Sequence, residues 1–140
     1  MGVLLGFDFG QKRIGVAQAD EELAIATPLT TIDVRNREQV LAEIMRLIDA
    51  QHAVKIVVGL PKTLKGEIGP AAQKVLGDVE WLKTKLQCPC VLWDERLSTK
   101  EVERILLEAD LSRSRRKEVR DSLAAQRILQ SYMDFHRNQT

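Results

Sequence analysis

The sequence predicts an α/β domain built on a five-stranded mixed sheet, three antiparallel strands followed by parallel ones, with helices on both faces. Two observations predict it. Residues 3–32 hold three extended stretches separated by short turns, the pattern of a meander. From Asn36 onward the apolar period becomes helical, and helical segments alternate with two short apolar strands, as in parallel crossover units. No internal repeat, low-complexity tract or linker divides the 140 residues, so a single domain over 1–140 is expected.

Val3 to Phe9 reads VLLGFDF, a nearly unbroken apolar run suited to a strand covered on both sides. A turn at Gly10-Gln11-Lys12 leads to a second strand, Arg13 to Ala19, and a third extends from Ala24 to Ile32. Pro28 places that third strand at an edge, because proline cannot donate to a ladder. Asn36 followed by Gln39 resembles a capping box, and Val40, Leu41, Ile44, Leu47 and Ile48 follow at helical spacing. Val54 to Val58 is a short strand, and Lys62 to Gly69 an exposed loop. A helix is expected from Pro70 to Leu86, then a strand from Cys90 to Trp93. Ser98 with Glu101 caps a further helix to about Glu108, a basic connection spans Leu111 to Lys117, and a last helix runs from about Lys117 to Phe135. The tail from His136 is polar, and residues 137–140 are expected to fray.

The net charge of +1 makes no nucleic-acid binder of the chain as a whole, so such a role requires local patches. No apolar run approaches the ~18 residues of a membrane span, and no signal peptide precedes the first strand, so a cytoplasmic protein without membrane contact is expected. Cys88 and Cys90, two apart on a strand, are poorly placed to bridge each other and are expected to pack as reduced thiols.

Asp8 is the most informative residue. It interrupts the most apolar strand, and strand alternation turns it away from Phe7 and Phe9. A buried carboxylate must be paired, protonated or metal-bound, and Lys12 or Arg13 could supply a simple salt bridge. Asp121 is in phase with Ala125, Ile128, Tyr132 and Phe135 on the inward stripe of the last helix, although a first-turn acid also serves the helix dipole. Asp94 and Glu95 end a strand, where open α/β sheets bind ligands, and spacing alone does not choose between them. Carboxylates gathered together repel one another; a cation relieves this, and oxygen-only ligation points to Mg²⁺ or Mn²⁺, one or two ions. Such a site suits in-line displacement at phosphorus. No Ser–His or Cys–His arrangement competes, since His52 precedes a strand and His136 lies in the tail.

The segments FDFGQKRIGVA, IVVGLP, DERLST and RDSLAAQRIL, in that order, resemble the YqgF family of RNase H-like proteins, also called RuvX. The resemblance covers essentially the whole chain, and DERLST is its most specific block. It implies an RNase H-like fold and a metal-dependent nuclease, with the family's three acids falling on Asp8, Glu95 and Asp121 as catalytic and metal-binding residues. The choice of Glu95 over Asp94 comes from this resemblance. The family's proposed role is 5′-end processing of pre-16S rRNA in the cytoplasm; some members are described as Holliday-junction resolvases. RuvC-type resolvases resemble this fold but carry a further acid one turn after the helix aspartate, where this sequence has Ala124. RNA is therefore the favoured partner, pre-rRNA or single-stranded, with a DNA junction as the alternative. Monomer and homodimer both remain open.

Arg113, Arg115, Arg116, Lys117 and Arg120 crowd basic charge just before Asp121, where it opposes the helix dipole and so points to phosphate contact. Lys62 and Lys65 form a second candidate contact. Arg13 and Arg96 stand beside the acids and could hold phosphate or anchor a carboxylate. Trp81 and Trp93 fall in a helix and a strand, where core packing accounts for them, so recognition is expected to be dominated by the backbone and sensitive to salt. Two other classes compete: actin-like kinases and ATPases, which usually need two such domains, and a non-catalytic RNA-binding assembly factor.

Overall fold

A computed structural model describes residues 2–97 and 113–137, with the side chains of 97, 113–120 and 137 excepted. Three strands, β1 (Val3–Phe9), β2 (Arg13–Asp20) and β3 (Ile25–Asp33), precede helix α1 (Arg37–Gln51). Then come β4 (Ala53–Leu60), α2 (Pro70–Lys85), β5 (Cys90–Asp94), a 3₁₀ turn at Glu95–Leu97, and α3 (Arg113–Arg137). The sheet has the order β3-β2-β1-β4-β5. β1–β2 and β2–β3 pair antiparallel, β1–β4 and β4–β5 parallel. This is the mixed sheet that the sequence predicts, with β3 at an edge as Pro28 requires. The pairing shifts register between Val16 and Ala17, opposite that proline.

Alternation along the strands divides the molecule into two layers. Leu5, Phe7, Ile14, Val16, Ile56 and Val58 face α1 and α2, which bury Val40, Ile44, Leu47, Val75, Val79 and Leu82 against them. The opposite face is lined by Leu4, Ala17, Ala19, Ala26 and Val57 and receives Ala125, Ile128, Leu129, Tyr132 and Met133 of α3. Large side chains fill one face and small ones the other, so α3 lies close on the strands. Burying Ile128 and Leu129 alone contributes roughly 1.5–3 kcal/mol each.

Local chemistry sets the ends of the elements. Asn36 caps α1, its Oδ1 accepting from Gln39 N–H at 2.8 Å. The returning Gln39 Oε1 accepts from Arg35 N–H at 3.3 Å rather than from the cap itself, a displaced version of the expected box. His52 ends α1 in the left-handed conformation, a structural use. Gln126 and Gln130 bind α3 to β3: Gln126 Nε2 donates to the Ala26 carbonyl at 2.9 Å, and Gln130 Oε1 accepts from Ala26 N–H at 2.8 Å. Cys88 and Cys90 are free, half-buried thiols, and burial pushes both up from their ordinary range.

Two expectations about the last helix are corrected. It already includes Arg113, so Arg113, Arg115 and Arg116 are helical and do not lie in a connecting loop. It continues past Phe135 through Arg137; His136 is helical, with its ring on Tyr132 (centroids 4.1 Å apart) and its Nδ1 2.8 Å from the Tyr132 carbonyl. Phe135, in phase with the inward stripe, is 49% exposed. The helix expected from Ser98 to Glu108 and the residues 138–140 lie outside the described residues.

Candidate nuclease site

β1 delivers Asp8 to the face covered by α3, as alternation with the buried Phe7 requires. Its cross-strand partner is Gly15. A Cβ on Gly15 would overlap the backbone carbonyl of Asp121, so the missing side chain is what lets the helix settle there. Asp121 is thereby held beside Asp8, close enough for its charge to act on it.

Glu95 arrives from the other side. β5 runs through Asp94, and the 3₁₀ turn that follows directs Glu95 toward Gly59 of β4. A Cβ on Gly59 would stand 2.6 Å from Glu95 Cγ and 2.5 Å from Ile128 Cδ1, so this glycine too makes room for an acid and for α3. Asp94 faces elsewhere, in a bidentate pair with Arg96, Nη2 donating to Oδ2 at 2.7 Å and Nε to Oδ1 at 3.1 Å, that holds its carboxyl below the ordinary range.

Asp8 and Glu95 are hydrogen-bonded to each other. Burial pushes both carboxyls up, and their mutual contact takes Glu95 to about 9. At neutral pH the pair therefore shares a proton, with Glu95 donating to Asp8. Asp121 adds a like charge that acts on Asp8, while its Oδ2 accepts from Arg13 Nε at 2.9 Å. Among the described residues no three His, Cys, Asp or Glu side chains stand close enough to hold a metal ion in this arrangement. The structure brings Asp8 and Glu95 together and ties Asp121, whose charge acts on Asp8, to Arg13. The donor set still fits a hard divalent cation. All of it is carboxylate oxygen, and the electrostatic conflict that keeps a proton between Asp8 and Glu95 is the one a cation relieves.

Of the expected nucleic-acid contacts, Arg13 and Arg96 both anchor carboxylates, Asp121 and Asp94 respectively. Lys62 is half-buried and its charge reaches Asp94; Lys65 is exposed. Their loop is closed by Gly66 N–H donating to the Thr63 carbonyl at 2.8 Å, and a Cβ on Gly66 would stand 2.9 Å from Arg96 Nη1. The loop therefore packs on Arg96. Arg113, Arg115, Arg116 and Lys117 lie on the helical backbone just before Asp121. The residues that the sequence reading passes over are Gly15 and Gly59. Each is a glycine inside a strand, the sign of a close backbone approach.

This fold, with an acid from the first strand facing one that follows the last, defines a member of the RNase H-like class. Solved structures that share it include RuvC of Thermus thermophilus in complex with a Holliday junction substrate, and the fowlpox virus resolvase with Holliday junction DNA. The first is 14% identical with a TM-score of 0.56, covering 99% of this chain and 97% of that one. The second is 9% identical with a TM-score of 0.57, covering 96% and 98%. At such identities the likeness concerns the fold alone. The RuvX family model, described as a Holliday junction resolvase, matches residues 2–135. The chain belongs to the RuvX family. Relatives from Desulforudis audaxviator and Thermoanaerobacter pseudethanolicus are 44% and 46% identical, each over 96% of this chain and over 96% and 98% of their own length. Both carry the name "Putative pre-16S rRNA nuclease".

Proposed function

We propose that the chain is a divalent-metal-dependent nuclease that hydrolyses phosphodiester bonds, acting in the cytoplasm on the 5′ end of pre-16S rRNA. Residues 1–140 act as one nuclease domain. The observation that carries this reading is the half-buried Asp8–Glu95 pair with the charge of Asp121 acting on it. The names of the two relatives and the family to which the chain belongs support the same chemistry.

Asp8, Glu95 and Asp121 are the catalytic acids and the residues that hold the metal. Mg²⁺ or Mn²⁺ bound there supplies Lewis-acid activation of water and of the phosphoryl oxygens. The chain's own part is to expel the proton shared by Asp8 and Glu95 and to place the acids. Gly15 and Gly59 set the depth of two of them, and Arg13 holds the Asp121 carboxylate until it is needed. Substrate phosphates meet Lys62, Lys65, Arg113, Arg115, Arg116 and Lys117, and Arg13 and Arg96 when they leave their carboxylates.

Junction resolution is the second reading, favoured by the description of the family model. Ala124 opposes it: where the RuvC-type pattern has a further acid, this chain has a buried methyl, 6% exposed. The deciding experiment incubates the protein with Mg²⁺ or Mn²⁺ and labelled precursor 16S rRNA, single-stranded RNA or a four-way DNA junction. Cleavage of RNA is expected. Cleavage of the junction alone would reverse the choice of substrate, and cleavage of nothing would refute the proposal.

A further inference from the structure

Behind the acid pair, on the face that α1 and α2 cover, a cavity of about 190 Å³ opens between the two helices. Phe9 and Trp81 are among its walls, and Arg37, Lys74 and Asp78 supply its charges. A wider hollow of about 420 Å³ adjoins it, sharing Phe9, Gly10, Lys74 and Asp78. The two form one cleft that ends at the exposed turn residue Gly10. Asp8 and Phe9 are consecutive, with Cα atoms ~3.8 Å apart, but alternation sends their side chains to opposite faces. The cleft thus begins one residue from the acid pair, past the C-terminal end of the central strand β1.

Its chemistry is specific. The Arg37 guanidinium lies 4.4 Å from the centroid of the Trp81 ring, stacked on it. Lys74 and Asp78, one turn apart on α2, face the same space, and among the described residues neither has a hydrogen-bond or ion-pair partner. Flat apolar walls fit a planar ring. An unpaired carboxylate fits an amino group on that ring, and two cations fit a phosphate attached to it.

We infer that this cleft binds a nucleotide, its base against Phe9 beside the Arg37–Trp81 stack with an exocyclic amino group on Asp78, and its phosphate at Arg37 and Lys74. If the nuclease reading holds, that nucleotide is the substrate residue next to the scissile bond, carried around Gly10 from the Asp8 face. A free nucleotide has the same chemistry. Amino-bearing bases such as adenine are preferred over uracil.

The test measures binding without cleavage, in the full chain with a metal chelator. Trp93→Phe leaves Trp81 as the single tryptophan emitter, and a thermal melt checks each variant's fold. AMP, UMP and an adenine-containing RNA tetranucleotide are titrated. AMP is expected to change the emission saturably and UMP more weakly, with the tetranucleotide tighter than AMP. Lys74→Glu is expected to weaken AMP and tetranucleotide about tenfold by losing a charge-assisted contact, and Asp78→Ala to erase the preference for AMP over UMP. If Lys74→Glu weakens AMP but not the tetranucleotide, the cleft takes a free nucleotide and its assignment to the substrate strand is wrong. No saturable change with any probe, or indifference of all probes to both substitutions, overturns the inference. Nothing is cut in this assay, so a failure of the nuclease reading would leave its outcome untouched.

Discussion

Arg13 and Asp121 lie 108 positions apart in the sequence and meet at 2.9 Å, Nε donating to Oδ2. The contact joins the start of β2 to α3 and ties the third acid, whose charge acts on Asp8, to a guanidinium. Each side chain is 26% exposed, so the pair itself contributes only about 1 kcal/mol or less. Its weight is positional. Arg13→Ala frees Asp121 to complete the oxygen set and removes a competing positive charge. Calorimetry is expected to show Mn²⁺ bound several-fold more tightly, with Tm lowered by a few degrees in the metal-free protein. Weaker Mn²⁺ binding would mean that Arg13 presents Asp121 to the metal rather than withholding it.

The acid pair makes stability depend on pH in a direction unusual for carboxylates. The folded chain holds Glu95 at about 9, against an ordinary 4.5, so the folded state binds the proton more tightly. That contribution is fully present below the ordinary value and is lost as pH rises through the folded one. Asp8, also raised, acts in the same direction. In chelator, Tm is expected to fall from mildly acidic to alkaline pH, and Glu95→Gln to flatten the decline. Asp94, whose carboxyl Arg96 lowers, has the opposite sign and weakens the fold only on the acid side. A Glu95→Gln profile parallel to that of the wild type would show that Glu95 does not hold the proton.

Metal affinity follows from the same proton. Binding must expel it, so Mg²⁺ or Mn²⁺ affinity is expected to rise with pH up to about 9, with proton uptake by the buffer measurable in calorimetry. Affinity independent of pH would show that the cation does not displace the Asp8–Glu95 proton.

Gly15→Ala places a methyl where the Asp121 carbonyl lies. α3 must move off β2, at a cost of about 1–3 kcal/mol by overpacking, and Asp121 moves with it. The expected result is a folded protein with a lower Tm and strongly reduced RNA cleavage. Unchanged cleavage would remove Gly15 from the architecture of the site.

Phosphate contacts at the loop and helix start are tested by salt. Lys62→Ala and Lys65→Ala are each expected to lower the slope of log affinity against log salt by roughly one if the side chain neutralises a phosphate. A slope equal to that of the wild type in both would remove the loop from the interface.

The order of the elements along the chain and a mixed five-stranded sheet with helices on both faces were legible in the sequence, because period and alternation act locally. Asp8 and Asp121 were legible as acids in apolar phase. Glu95 was not separable from Asp94 by pattern. What separates them is a change in backbone direction, strand to 3₁₀ turn, together with an Arg96 that occupies Asp94. The start of α3 was misplaced because Arg113 to Lys117 reads as a basic loop, although the helix already includes it. The role of Arg13 also lay out of reach, since its carboxylate partner depends on where α3 crosses β2, and that crossing is set by a glycine. Gly15 and Gly59 carried a readable signal as glycines within strands, but only the folded chain shows which acids they admit.

The central claim is that Asp8, Glu95 and Asp121 together make a metal-dependent RNA-cleaving site. The most direct measurement is the single-turnover cleavage rate of labelled precursor 16S rRNA against Mn²⁺ concentration, for the wild type and for folded Asp8→Asn. The wild type is expected to cleave with saturable metal dependence and to be silent in chelator, and Asp8→Asn to lose about a hundred- to a thousandfold, the order of magnitude for removing a group that stabilises developing charge. Equal rates for the two proteins, or cleavage that persists in chelator, would contradict the account.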